Sequence, residues 1–138
     1  MASKVFDTSE LDAYAGELQK VARDFPKKEK TFMQKEGRKL RAKTLREART
    51  LGKKTGNYLK SIKRGKAYRY EDDTMAIRVY STAPHAHLIE EGHRIVTPEG
   101  KETGFVPGRH IFEIAGKSFE HEYVTDIDEF LDEVVEEL

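Results

Sequence analysis

The chain has 138 residues, 37% apolar and 36% charged, against usual values of about 45–50% and about 25%, so one domain with a small core is expected. Its 25 Lys and Arg balance 25 Asp and Glu, and with no cysteine and no tryptophan, disulfides and thiolate metal sites are excluded. It opens Met-Ala-Ser-Lys and contains no apolar run of about 18 residues, so neither signal peptide nor membrane span is expected, and synthesis in the cytosol is the default.

Asp7 is a good N-cap, and Glu10 completes a box-like pair ahead of Leu11, Tyr14, Ala15, Leu18, Val21, Ala22 and Phe25, an i, i+3, i+4 series that marks one buried stripe. A first helix is predicted from about Thr8 to Asp24, with Pro26 ending it or restarting the next at N1. The second runs from Pro26 to about Leu51, closed by Gly52; Met33, Leu40, Leu45, Ala48 and Leu51 form a thin stripe on a basic cylinder. Three readings of that basic face stand: a solvated surface, a site for an acidic protein, or a site for nucleic acid. Aromatic residues for stacking on bases are missing between the cations, and the broad apolar face that a membrane-surface helix needs is missing too.

Gly52-Lys53-Lys54-Thr55-Gly56-Asn57 lacks the spacing of a phosphate-binding loop. Thr55 or Asn57 is expected to cap a short helical turn that packs Leu59 and Ile62 inward. Residues 66–71 and 75–81 alternate as paired strands around Asp72-Asp73-Thr74, and further short strands are expected at 94–96 and 104–106, giving a small antiparallel sheet. After Pro107 a helical stripe runs through Ile111, Ala115, Phe119 and Tyr123, then Ile127, Phe130, Leu131, Val134, Val135 and Leu138, with Val124-Thr125-Asp126 as a possible break. The fold class is α+β: two N-terminal helices and one or two C-terminal helices on a small sheet. Residues 1–138 form a single domain, divided into an N-terminal helix (1–25), a basic helix, hairpin and docking loop (26–112) and an acidic C-terminal helix (113–138).

The neutral total conceals a separation. From Lys27 to Lys66 sixteen Lys or Arg stand against three Glu, a surplus of +13, whereas from Glu113 to Leu138 ten Asp or Glu stand against Lys117, a balance of −9. Blocks of opposite sign tend to meet a complementary surface, which a neighbouring copy can supply.

The stretch Ser81–Phe112 holds four of the five histidines and three of the four prolines. His85 and His87 would share a face on a strand and, with His93, His110, Glu90 and Glu91, offer zinc-type ligands. His87-Leu88-Ile89-Glu90-Glu91 reads better as a helical turn, on which residues two apart diverge. Glu90 and Glu91 lack a partner nucleophile, and Ser61, Ser81 and Ser118 lack an elbow motif, so no catalytic residue, metal or cofactor is assigned. The long loop is instead read as a surface that touches another molecule.

Three phrases resemble the gene-product-ten-like tail-component family of tailed bacteriophages: Thr55-Gly56-Asn57-Tyr58-Leu59-Lys60-Ser61-Ile62, Pro84-His85-Ala86-His87-Leu88-Ile89-Glu90-Glu91-Gly92 and Pro107-Gly108-Arg109-His110-Ile111-Phe112. A basic amphipathic helix precedes them and an acidic one follows. The resemblance implies a non-enzymatic virion protein of the neck, assembled in the host cytoplasm as a ring, commonly of six copies. Such a ring completes the tail, contacting the tail tube protein and the head-tail connector at the tail-head junction, with DNA passing through it unread. The interface residues expected on this basis are Arg38, Arg41, Lys43 and Arg46 on the basic helix, Glu129 and Glu133 on the acidic one, and Glu91, Gly92, Arg94 and Arg109 at the docking edge. Reversing Arg41, Lys43 and Arg46 to Glu is expected to abolish assembly and leave the monomer folded. The competing reading is a small nucleic-acid-binding protein that uses the basic helix.

Overall fold

A computed structural model describes residues 7–52 and 56–138; Lys53, Lys54 and the expected cap Thr55 lie outside that set. The chain is organised on α1, Ser9–Ala48, a continuous helix of 40 residues that tightens into a 3-10 turn over Arg49–Leu51. Two helices divided at Pro26 are therefore replaced by one. The proline withholds a bond only from the carbonyl of Ala22, at an exposed position where water can satisfy it. One apolar stripe crosses the site, with Phe25 and Phe32 both resting on Phe130 at ring separations of 5.9 and 4.5 Å, so packing holds both sides on one axis. Thr8 rather than Asp7 is the N-cap, and Asp7 Oδ1 accepts the Ser9 N–H at 2.8 Å.

α2, Gly56–Ser61, leads directly into a hairpin crossing α1. Its ladders are β1 (Ile62–Arg64) with β4 (Val79–Ser81), and β2 (Tyr68–Arg69) with β3 (Met75–Ala76), all antiparallel. The turn at Asp72-Asp73-Thr74 is closed by the Tyr70 N–H on the Thr74 carbonyl at 2.9 Å. α3, Ala86–Glu91, then turns the chain into a second hairpin, β5 (Gly92–Val96) with β6 (Glu102–Pro107), and α4 covers Ile111–Glu136. Among the described residues the strands form three separate two-stranded ladders where one small sheet was expected. α3 intervenes between β4 and β5, and among the described residues β5 pairs with β6 alone.

α4 lies antiparallel on α1 as a single unbroken helix. Thr125 Oγ1 bonds back to the His121 carbonyl at 3.1 Å and Asp126 reaches Lys39, so the expected break at 124–126 does not form. Ala48, Tyr58, Ile62 and Ile111 make the core, with Leu45, Leu51, Val79, Ile89 and Phe112 against it. Ala115 and Phe119 extend that core along α4, and Tyr123, Phe32, Phe130 and Phe25 continue it as a file of aromatic contacts. The fold is α+β. Among the described residues no helix is long and apolar enough to cross a membrane.

Candidate assembly surface

Much of the opposite charge meets inside the chain. Lys39 Nζ lies 2.6 Å from Asp126 Oδ2, Lys43 Nζ lies 3.4 Å from Glu122 Oε2, and Lys28 binds Glu137. Beneath Lys39 sits Glu36, only 2% exposed, whose Oε2 has no hydrogen-bond partner. Burial first, then the neighbouring Asp126, pushes its pKa up to about 7. The Lys39 ammonium in turn holds the Asp126 carboxyl below the usual carboxylate range.

The candidate cations consequently divide. Arg41 Nε donates to the Ile62 carbonyl at 2.9 Å and Lys43 pairs with Glu122, so reversing these two would disturb the monomer; the expectation of an intact fold is corrected for them. Arg38 and Arg46 are exposed and, among the described residues, make no ion pair; Lys27, Lys30 and Lys35 are exposed on the same helix. Glu129 and Glu133 are likewise exposed on α4 and, among the described residues, make no ion pair. Beside them an open groove of about 840 Å³ runs between α1 and α4 over Phe32, Phe130 and Val134, with Lys27 and Lys35 on one rim and Glu129 and Glu133 on the other.

Residues expected at the docking edge turn out to build a joint. The Glu90 carboxylate accepts the Phe112 N–H at 3.0 Å and the Glu113 N–H at 3.1 Å, capping α4 from a different element. The Arg109 and His110 N–H groups donate to the carbonyls of Ile89 and Glu90 at 2.8 and 3.1 Å. Gly92 ends α3 at φ 91°, and a Cβ there would stand 2.4 Å from the Val106 oxygen; at Gly108 it would stand 2.3 Å from the Glu90 oxygen. The side chains of Glu91, Arg94 and Arg109 nevertheless point into solvent, Arg94 within 4.0 Å of Glu102.

Sequence reasoning missed Glu90, which it weighed as an acid or base. One signal was present: α4 begins after His110, which cannot cap as Ser, Thr, Asp or Asn does, and in fact makes no side-chain cap bond. The histidines are dispersed. His85 precedes α3, His87 lies in it, His93 lies on β5 and His110 precedes α4; among the described residues no group of three His, Asp or Glu is placed to hold a metal ion.

Among the described residues, apolar surface is uncovered on α4 at Ile114, Val124, Leu131 and Val135, and in two further regions. α4 ends opposite Lys28, so α1 runs past it, and the stripe expected to be buried is open: Leu11 is 66% exposed, Tyr14 46% and Leu18 43%. The β5–β6 hairpin likewise exposes Ile95, Val96, Phe105 and Val106, and among the described residues no further strand pairs with either edge. An isolated two-stranded hairpin is marginal in water and its edges invite pairing, so this arm suits contact with another chain.

A family model described as "Bacteriophage HK97-gp10, putative tail-component" matches residues 12–92. No curated protein and no solved structure matches the chain.

Proposed function

From the chain's membership of the HK97-gp10-like family of phage tail components, to which it belongs by a match over more than half its length, we propose that it is a structural, non-enzymatic protein of the phage neck. In this reading copies join in a ring, six in the simplest case, that completes the tail at the tail-head junction. The ring contacts the tail tube protein below and the head connector above, and DNA passes through it without sequence recognition.

The observation that supports an assembling subunit is uncovered apolar surface, on the first turns of α1 and the β5–β6 arm among other places, on a chain with a small packed core. A ring needs heterologous contacts between unlike patches. The outward cations Arg38 and Arg46 and the outward carboxylates Glu129 and Glu133 are suitably unlike.

The test is negative-stain electron microscopy of lysates from the parent phage with this gene interrupted. Filled heads beside unattached or overlong tails are expected, and normal infectious particles would contradict the reading. The exposed cations of α1 also favour a second reading, duplex DNA binding by the free protein. Micromolar affinity that collapses with added salt would support it.

A further inference from the structure

We propose that the projecting part of α1, residues 9–20, of one copy lies in the α1–α4 groove of the next copy. The contact rests on the reading of the chain as a self-assembling subunit and identifies the two surfaces that would join.

The projecting part carries a seam. Leu11, Tyr14, Ala15 and Leu18 lie on one side of the helix at spacings of three and four, and small Ala15 permits close approach. Glu10 and Glu17, seven residues apart, line one flank of the seam. All of these residues are exposed. The groove offers the counterpart: an apolar floor at Phe32, Phe130 and Val134, with Lys27 and Lys35 along the α1 rim and Glu129 and Glu133 along the α4 rim. At about 1.5 Å per residue, residues 9–20 extend about 18 Å, and the α1 wall from Lys27 to Lys39 is about as long. The acidic flank would lie along the basic rim while the seam covers the floor.

Charge argues against seams pairing with each other. Antiparallel pairing of two copies would set Glu10 and Glu17 of both helices on the same side, and parallel pairing would leave them beside alanine with no counter-charge. The groove sets Lys27 and Lys35 beside the acidic flank and keeps Glu129 and Glu133 on the opposite rim. Seam and groove are different patches, so a contact between them can pass from copy to copy when it is not returned by the same neighbour.

The chain's lack of cysteine allows a direct test. Leu18→Cys and Val134→Cys variants of the full chain are mixed at high concentration, treated with a short bis-maleimide and mapped by mass spectrometry. The expected product joins position 18 of one copy to position 134 of another, in at least tenfold excess over 18–18 links. Leu18→Glu, at an exposed position, should abolish multimers in sedimentation while leaving thermal unfolding unchanged. Dominant 18–18 links would overturn the contact in favour of paired seams. Multimers that persist in Leu18→Glu and give no 18–134 link would also overturn it, with the ring reading left standing. A wild-type chain still monomeric at about 1 mM excludes a contact of useful strength; the neck reading is then decided separately by interrupting the gene.

Discussion

α1 is one helix in two environments. From Phe25 to Ala48 it is roofed by α4 and crossed by the first hairpin, with Glu36, Thr44 and Ala48 at 2% exposure or less. From Ser9 to Lys20 every residue is exposed, although the apolar spacing there is the more regular of the two. Periodicity therefore reports that a stripe wants cover and does not report which chain provides it. The same contrast separates the two hairpins, one laid across α1 and the other standing free on a glycine joint.

Substituting alanine for glycine on the two sides of that contrast should give the largest difference. At Gly108 or Gly92 the new Cβ meets backbone oxygen, and a loss of about 3 kcal/mol is expected in urea unfolding. At Gly16, in the projecting turns with nothing within 4 Å, the same change should raise helicity and cost nothing. Equal effects at both positions would erase the distinction.

Glu90→Ala leaves two N–H groups of α4 without their acceptor and should cost about 2 kcal/mol, whereas Glu91→Ala, whose side chain is solvated, should stay within about 0.5 kcal/mol. Next, Lys39→Glu places a carboxylate against Asp126, Glu122 and Glu36 and should cost about 2 kcal/mol, while Arg38→Glu on the outward face leaves the monomer's melting temperature unchanged.

The smallest effect concerns pH. The Glu36 pKa is raised in the folded chain, so its contribution is fully present at low pH and is lost as pH rises through about 7. A decline of about 1 kcal/mol between pH 6 and 8 is expected in chemical unfolding, and Glu36→Gln should flatten it.

The elements themselves were largely legible. Helical spacing marked α1 and α4, and alternation marked the first hairpin. Long-range partners were not. The Glu90 carboxylate acts 22 residues from the N–H of Phe112, and Lys39 meets Asp126 across 87 residues, distances at which no local pattern speaks. The charge blocks were visible as complementary, yet composition carries no information on whether they close within one chain or between two. Pro26 misled for the same reason. Its local cost is real, and packing of Phe25 and Phe32 on a helix distant in sequence outweighs it.

Hydrogen exchange read by mass spectrometry, on the full chain when dilute and when concentrated enough to assemble, tests the division most directly. The account predicts that amides of residues 32–48 and 111–126 are protected in both samples, while residues 9–20 and the β5–β6 arm exchange rapidly when dilute and become protected on assembly. Protection of residues 9–20 already present in the dilute monomer, or none gained in assembled material, would contradict it.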